Sequence, residues 1–221
     1  MLDAPIPFPP FLAELVEELY GSEIADGNAD AMNDLGSLYC NGDRGFEQNY
    51  ERAAHYYQMA ADHGSGIARE NLGYCYYYGR IGAPDYEKAF FCFAAGAFGG
   101  RLVSLYEIGD MYRNGLFVEK NEREAFCIFM HCIETMTPEE EHCVAGPVYL
   151  RLGQMLLDGA GTERDPKGAL VCLQKAESYL YDMVAAGEGF YLPSMEQAVE
   201  GQAAARDVLK LRLDGSAQYA D

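Results

Sequence analysis

Small and hydrophobic residues recur along the chain with the three- and four-residue spacing of a helical face. One segment has an aliphatic residue before a glycine, a tyrosine or leucine three residues after that glycine, and a second glycine three residues further on. Its four copies are LGSLYCNG from Leu35, LGYCYYYG from Leu72, IGDMYRNG from Ile108 and LGQMLLDG from Leu152. Four copies of one helical pattern predict a stack of similar helical repeats.

A second helical pattern follows each copy of the first. It has an alanine, a large side chain four residues later and then more small residues, as in AAHYYQMAADHG and AFFCFAAGAFGG. Small residues beside a large one allow two helices to approach closely while the large side chain fills the gap between them. Each repeat is therefore predicted to be a pair of helices. The alanine and the large residue of the four repeats are Ala53 and Tyr57, Ala89 and Phe93, Ala125 and Phe129, and Ala169 and Leu173.

Polar residues and glycines separate the two helices of each repeat. Asparagine and aspartate are preferred N-cap residues, and glycine tolerates the left-handed conformation that ends many helices. The predicted N-caps of the second helices are Asn49, Asp85, Asn121 and Asp165, the last followed by Pro166 at the first helical position. The predicted C-caps of the first helices are Gly42, Gly79, Gly115 and Gly159.

The spacing of the repeats indicates an insertion before the fourth one. The structural repeat glycines are Gly36, Gly73, Gly109 and Gly153, separated by 37, 36 and 44 residues. The longest interval contains TMTPEEEHCVAGP, in which Thr137 and Pro138 predict an extra helical turn. Gly146 and Pro147 then restart the pattern. We expect this insertion to lie in a loop on one face of the stack.

Amphipathic segments are predicted to cover both ends of the stack. The apolar face of the N-terminal helix is expected to contain Phe11, Leu12, Leu15, Val16 and Leu19. The second helix of the fourth repeat is expected to run long, because its apolar spacing continues through Leu180 to Met183. Ser194 and Gln197 predict a capping box for a final helix that ends near Leu213.

The charge of the chain restricts the class of partner. It has 35 Asp and Glu residues against 16 Lys and Arg residues, which is a formal net charge of -19. Such a chain repels nucleic acid phosphates and anionic lipid, so we expect neither a nucleic acid nor a membrane as partner. A protein or peptide partner is favoured instead, and the charge suits a basic one.

Targeting signals and cysteine usage predict a cytoplasmic protein. MLDAPIPFPPFLAELVEELY has no basic start, and acids interrupt its apolar residues, unlike a secretion signal. No apolar run approaches the roughly 18 residues of a membrane helix. The seven cysteines are an odd number, which is typical of reduced thiols in a cytosol.

The repeated motifs resemble the Sel-1-like repeat family over about residues 29–187. The pattern that carries the resemblance is A…LG..Y..G…(D/N)…A…(Y/F)..AA..G, and the fourth copy departs from it because Leu156 replaces the tyrosine. The resemblance implies an all-α fold, an α/α solenoid related to tetratricopeptide repeats. In this fold about four helix-turn-helix repeats form a right-handed superhelix with a cap helix at each end. It also implies a non-catalytic adaptor or scaffold that binds proteins or peptides without a cofactor.

The repeat boundaries predict how the chain is organised. Residues 1–28 are expected to form an N-terminal segment and cap helix, and residues 188–221 a C-terminal cap helix and tail. The four repeats between them are expected at about residues 29–65, 66–100, 101–144 with the insertion, and 145–187. We expect a monomer or a weak dimer.

The groove positions of tetratricopeptide repeats, mapped onto the first helices, predict a partner-binding site on the concave face. The candidates are Asn33, Ser37, Asn41, Glu70, Tyr74, Tyr77, Tyr78, Tyr106, Asp110, Arg113 and Gln154. Tyrosine is common in binding hot spots. Tyr76, by contrast, occupies the structural position shared by three copies and is predicted to lie in the core. For Tyr74 and Tyr77, core packing and partner binding both remain open.

A group of cysteines and histidines offers a different interpretation. It comprises Cys127, His131, Cys132, His142 and Cys143, and its first two members lie one helical turn apart, which is metal-ligand spacing. The chain would then be a small hydrolase or a metal-binding protein centred on residues 127–143. The group lacks the C-x-x-C pairing of structural zinc sites, and the chain has no nucleophile motif or phosphate loop. We therefore expect no metal and no catalytic residues, with Cys127 and Cys132 packed as small core residues.

Overall fold

The computed structural model describes residues 10–210, with side chains from residue 13 onward, and this part of the chain is all-helical and contains no strand. The first five helices are α1 (Pro10–Ala25), α2 (Ala29–Asn41), α3 (Tyr50–Asp62), α4 (Gly66–Tyr77) and α5 (Tyr86–Phe98). The others are α6 (Leu102–Asn114), α7 (Glu122–Thr135), α8 (Pro138–Asp158), α9 (Pro166–Ala185) and α10 (Leu192–Val208), with a short 3-10 helix at Gly189–Tyr191. The prediction of an all-α fold made of helix pairs is confirmed.

The predicted caps bound the helices of every repeat. The side chains of Asn49, Asp85, Asn121 and Asp165 all accept backbone N–H groups in the first turns of α3, α5, α7 and α9. The glycines after the first helices all have left-handed φ values between 63° and 75°. These residues satisfy helix ends that otherwise lack partners, so the N-cap predictions are confirmed, and Gly42 and Gly159 are the C-caps of α2 and α8 as predicted. The prediction is wrong for Gly79, because the C-cap of α4 is Tyr78 and Gly79 follows it.

The repeat glycines lie where the two helices of each repeat touch. A Cβ atom added to Gly36 would come within 2.8 Å of the Tyr57 ring. In the other repeats the corresponding distances are 2.8 Å from Gly73 to Phe93, 2.6 Å from Gly109 to Phe129 and 2.5 Å from Gly153 to Leu173. No real Cβ atom tolerates such contacts, so glycine is required for this close approach.

The chain divides into two compact units between Ser104 and Leu105, within α6. In the first unit the buried residues of α2, α3 and α4 form one core, against which one face of α1 packs. That face consists of Ala13, Val16, Tyr20 and Ile24. The predicted apolar face of α1 is wrong for Leu15 and Leu19. Both side chains are exposed, because the helix packs the row formed by residues 13, 16, 20 and 24 against the core instead. Phe11 and Leu12 lie outside the described side chains.

In the second unit the predicted insertion is helical, and the prediction of a loop is wrong. Thr137 precedes α8 as predicted, with its backbone N–H and its hydroxyl both bonded to Glu140, but the helix then continues through Gly146 and Pro147. A Cβ atom on Gly146 would lie 3.0 Å from Leu180 of α9. Gly146 precedes Gly153 by seven residues, and Leu180 follows Leu173 by seven. The contact between Gly153 and Leu173 is therefore repeated two helical turns further along the antiparallel helices α8 and α9. Both helices are longer than those of the other repeats, at 21 and 20 residues.

The final helix differs from its predicted start. Ser194 lies in the first turn of α10, after the N-cap Tyr191, so the predicted capping box is wrong. The helix ends at Val208, and the predicted end near Leu213 lies outside the described residues. Ala198 and Ala205 of this helix are buried, and Ala198 shares a core with residues of α9. The packing of α10 on α9 covers the end of the fourth repeat within this unit.

Candidate functional site

The eleven predicted binding residues lie on or directly after the first helices of the repeats. Those of the first two repeats belong to the first compact unit, and those of the last two belong to the second. Their surroundings differ widely. The prediction that they bind a partner stays a prediction, and the contacts of each residue indicate which of them are available to one.

Glu70 is buried and bound within the first unit. Its Oε2 accepts hydrogen bonds from Arg101 Nε at 3.1 Å and Ser104 Oγ at 2.8 Å, and its Oε1 accepts one from Arg101 Nη2 at 3.0 Å. A buried carboxylate requires such partners, because removing it from water is costly. Glu70 therefore attaches α4 to the beginning of α6 and offers little surface to a partner.

Asp110 and Tyr106 are buried in the second unit beneath Arg151 of α8. Asp110 Oδ2 accepts a hydrogen bond from Arg151 Nε at 2.6 Å, and the guanidinium carbon lies 5.2 Å from the centre of the Tyr106 ring. Burial lowers the pKa of Arg151, but the charge and the hydrogen bond of Asp110 raise it by more, so the net pKa is raised. This charged group therefore holds α6 to α8.

Amide side chains connect successive first helices near the surface. Asn71 Nδ2 donates to Asn33 Oδ1 at 3.0 Å in the first unit. In the second unit Arg113 Nη2 donates to Gln154 Oε1 at 3.0 Å, and Gln154 Nε2 donates to Gln197 Oε1 of α10 at 3.2 Å. These half-exposed groups join neighbouring helices, yet they remain within reach of a partner.

An aromatic surface lies at the end of α4 in the first unit. The tyrosine cluster, defined here as Tyr74, Tyr77 and Tyr78, stacks Tyr74 on Tyr78 with ring centres 6.0 Å apart and sets Tyr77 edge-on to Tyr78 at 5.1 Å. Tyr78 is 59% exposed, and the Arg80 guanidinium lies 5.4 Å from its ring centre. Tyr74 and Tyr77 are half-buried and also contact Phe93 of α5. The cluster therefore has a packed base and an exposed edge.

Tyr76 turns the other way from this cluster. Its ring packs, half-buried, against the core of the first unit, and burial raises the pKa of its hydroxyl. Three copies keep a tyrosine at this position and the fourth has a leucine, which suits a packing role.

A groove runs between α1 and α2 of the first unit. The predicted residues Ser37 and Asn41 line a cleft of about 260 Å³, and a second cleft of about 450 Å³ shares part of the same lining. The lining common to both clefts is Tyr20, Asp34 and Arg44. Sequence reasoning missed Tyr20 because α1 was expected only to cover the end of the stack, and it missed Asp34 and Arg44 because neither lies at a mapped groove position. The alternation of acids with apolar residues in α1 was the available signal.

The cysteines and histidines near residues 127–143 are dispersed. Cys132 is buried as predicted, and burial raises the pKa of its thiol to about 12. Cys127 and His131 of the same helix are exposed, so the prediction that Cys127 packs in the core is wrong. Among the residues that the structure describes, no three His, Cys, Asp or Glu side chains are grouped as metal ligands would be. No helix within residues 10–210 combines the length and apolar character needed to cross a bilayer.

The repeats match a known family model. The Sel1 repeat model matches residues 29–65, 67–97, 102–126 and 147–178. No curated protein matches the chain.

Two crystal structures are similar in fold. A Sel1 repeat protein from Oxalobacter formigenes is 18% identical, with a TM-score of 0.62, and the match covers 90% of this chain and 86% of that one. A protective antigen of uropathogenic Escherichia coli that displays an SLR fold is also 18% identical, with a TM-score of 0.52, and the match covers 93% of this chain and 57% of that one. At this identity the likeness shows the fold alone, and it confirms the predicted α/α solenoid.

Proposed function

Because the chain belongs to the Sel1 repeat family, we propose that it is a non-catalytic adaptor that binds a protein or peptide on its first helices. Helical-repeat solenoids commonly act as interaction scaffolds, since stacked helices present extended surfaces. The proposed binding surface is the tyrosine cluster of α4 together with the groove between α1 and α2. We place this activity in the cytoplasm, because an odd number of cysteines suits a reducing compartment.

The exposed edge of the tyrosine cluster is the observation that carries this proposal. The repeat fold does not require tyrosine there. The residues corresponding to Tyr74 in the other repeats are Ser37, Asp110 and Gln154, and those corresponding to Tyr78 are Asn41, Asn114 and Asp158. A large amphipathic ring at a position where other repeats have small or polar residues is typical of a binding hot spot.

A basic partner fits the charge of this surface. The groove between α1 and α2 contains the acids Glu23, Asp30, Asp34 and Asp43 and one cation, Arg44. Tyrosine rings in the first unit already hold cations of the chain itself, including Arg52 at 4.4 Å from the Tyr39 ring centre. Carboxylates and ring faces together therefore favour the lysine and arginine side chains of a partner.

The test is affinity capture from the lysate of the source cell, followed by binding measurements with the identified partner. We compare the native chain with Tyr78→Ala and with the triple variant Tyr74→Ala/Tyr77→Ala/Tyr78→Ala. Tyr181→Ala is the matched control, because Tyr181 is 62% exposed on α9 of the other compact unit. Circular dichroism and melting curves establish that each variant is folded.

The proposal expects a partner that the native chain and Tyr181→Ala retain, that Tyr78→Ala binds more weakly and that the triple variant loses. Higher salt should weaken this binding, since it screens the attraction between acidic groove and basic partner. Equal binding by all folded variants would contradict the proposed surface. The absence of any specific partner would contradict the adaptor function.

A further inference from the structure

A pocket of about 270 Å³ lies between the first turns of α8 and the last turns of α9 in the second unit. The apolar part of its lining includes Pro138, Met183 and Ala186, of which Met183 is buried. We call the space lined by these residues and by Tyr179 the α8/α9 pocket. Pockets for drug-sized ligands occupy about 300–1,000 Å³, so this smaller one suits a single long side chain.

The charge of the α8/α9 pocket is negative. Among the described residues that line it, Glu141, Asp182 and Glu188 are acids, and none is a lysine or an arginine. His142 is the only one of these lining residues that can take a positive charge. Three carboxylates beside an apolar lining favour a ligand that combines an aliphatic chain with a cationic end, as lysine and arginine side chains do.

The repeat fold does not require this pocket. Its described lining residues lie within 138–142 and 179–188, outside the segments that match the family model. Most of them belong to the extra turns that lengthen α8 and α9 to 21 and 20 residues, whereas α2 and α3 have 13 residues each. The pocket is therefore a feature of the added segments and is not needed for the stacking of the repeats.

The first unit shows how this chain holds a guanidinium beside a tyrosine and a glutamate. The Tyr39 hydroxyl donates a hydrogen bond to Glu17 Oε1 at 2.7 Å, and Tyr56 stacks on Tyr39 with ring centres 5.9 Å apart. Arg52 Nη2 lies 3.1 Å from the same Glu17 oxygen, and its guanidinium carbon lies 4.4 Å from the centre of the Tyr39 ring. A carboxylate and a ring face thus bind one cation together.

The α8/α9 pocket contains the same pair of groups without a cation of the chain. The Tyr179 hydroxyl donates a hydrogen bond to Glu141 Oε1, and Tyr149 stacks on Tyr179 with ring centres 6.1 Å apart. Lys175 lies over the Tyr149 ring, with Nζ 3.2 Å from the Tyr149 hydroxyl oxygen. Within the described part of the chain, no lysine or arginine forms an ion pair with Glu141. No described residue therefore has the role here that Arg52 has in the first unit.

We propose that the α8/α9 pocket binds the arginine side chain of a protein partner. The guanidinium pairs with Glu141 and lies on the Tyr179 ring, as that of Arg52 does with its own glutamate and tyrosine, and the methylene groups pack on Met183. Arginine is favoured over lysine because its planar group bonds a carboxylate through two N–H groups and stacks on an aromatic ring. This site goes beyond the proposed adaptor surface, which belongs to the first unit.

Nuclear magnetic resonance with carbon-13 methyl-labelled methionine tests the site in the full chain. The probe is N-acetyl-arginine amide, which presents the side chain as it occurs in a polypeptide. Met183 lines the pocket, and its signal is identified by its loss in Met183→Leu. The Met183 signal should shift and saturate at about millimolar probe, because one side chain makes few contacts. The signal of Met32, in the core of the first unit, should stay unchanged.

Matched variants and probes test the role of charge. Glu141→Gln keeps an oxygen that accepts the Tyr179 hydroxyl but removes the negative charge, so it should weaken binding about tenfold. Glu163→Gln is the control, since Glu163 is exposed and does not line the pocket. N-acetyl-citrulline amide has nearly the same shape without the charge and should not bind. N-acetyl-lysine amide should bind more weakly than the arginine probe.

The proposal would be overturned if the probe left the Met183 signal unchanged, or if folded Glu141→Gln or the citrulline probe bound as well as the native combination. Equal binding of the lysine probe would overturn the choice of arginine. Tighter binding of free arginine than of the capped probe would indicate a metabolite site and overturn the protein partner. The triple tyrosine variant should bind the probe at Met183 as the native chain does, so failure of this site and failure of the adaptor surface are distinguishable.

Discussion

The second and third repeats place different residues at equivalent positions and use them in opposite ways. Tyr74 follows the repeat glycine of α4, where it supports the exposed ring of Tyr78. Asp110 follows the repeat glycine of α6, where it is buried and bound to Arg151 of α8. A position in the repeat therefore does not decide whether a residue is available to a partner. The side chain that the neighbouring helix contributes decides it.

The surroundings of Asp110 and of the tyrosine cluster differ in the side chains that cover them. In the second unit Arg151 reaches from α8 over both Asp110 and the Tyr106 ring, so one long side chain closes the surface. In the first unit the tyrosine cluster is covered only in part, with Arg80 over the ring of Tyr78. The same repeat frame thus supports a closed polar core and an open aromatic edge.

The largest expected effect on stability comes from breaking the buried ion pair between Asp110 and Arg151. Arg151→Ala leaves the buried Asp110 carboxylate without its cation, and we expect a loss of about 3 kcal/mol or more in the free energy of unfolding. Urea denaturation measures this loss. Arg113→Ala, which removes a half-exposed bond to Gln154, should cost at most about 1 kcal/mol. A similar loss in the free energy of unfolding for both variants would contradict the prediction that the buried ion pair stabilises the fold more than the surface hydrogen bond does.

A matched pair of tyrosine truncations compares the two regions directly. Tyr106 is 5% exposed and Tyr78 is 59% exposed. Tyr106→Ala should lower the free energy of unfolding by about 3 kcal/mol, because it leaves a cavity. Tyr78→Ala should change it by less than about 1 kcal/mol. Chemical denaturation of both variants is the measurement, and a large loss in Tyr78→Ala would mean that the aromatic edge is structural.

Substitution of the repeat glycines tests the close helix contact that the second and third repeats have in common. Gly73→Ala and Gly109→Ala each force a Cβ atom into a ring of the partner helix, so each should cost about 1–3 kcal/mol. Gly21→Ala in α1 is the control, since no atom outside its own helix lies within 4 Å of the added Cβ. It should stabilise the protein by about 0.5–1 kcal/mol through helix propensity. A loss of stability in all three variants, measured by thermal melting, would argue against a specific helix contact.

The smallest expected effect concerns the extended helices of the second unit at high pH. The hydrogen bond to Glu141, together with burial, raises the pKa of Tyr179 to about 12, from an ordinary value of 10. The folded state therefore favours the neutral phenol, and this contribution is complete below pH 10 and is lost as pH rises towards 12. Native protein should be more stable than Tyr179→Phe at neutral pH and should lose that advantage at alkaline pH.

Tyr181→Phe, on the exposed side of α9, serves as the control for this titration. Melting temperatures of the three proteins across the alkaline range give the comparison. A difference between native protein and Tyr179→Phe that is independent of pH would contradict the role assigned to the Tyr179 hydroxyl.

Much of the fold was predictable because local signals agree with one another. Asn49 and Asp165 are both caps by residue type and by position, and the repeat glycines precede their large partner residues by a near-constant interval. The insertion was mispredicted because Gly146 and Pro147 are helix breakers by propensity. Packing of Gly146 against Leu180 overrides that propensity.

The candidate site was less predictable than the fold. Mapping by repeat position grouped Glu70 and Tyr78 together, although the first is bound to Arg101 and the second is largely exposed. It also missed Tyr20 and Arg44 of the groove, because residues far apart in the chain line it jointly. Equivalent positions in the repeats share a backbone conformation. They do not indicate which side chains the neighbouring parts of the chain place against them.

The amino-acid sequence by itself determined the helix pairs, their caps, the close glycine contacts and the family. Each of these depends on residues at short, repeated spacings, where propensity and sterics act locally. Only the tertiary structure decided which first-helix residues belong to buried ion pairs and which rings face solvent. Burial of a side chain depends on the reach and the charge of residues such as Arg101, just before α6, and Arg151 of α8. Spacing within one repeat does not specify these residues.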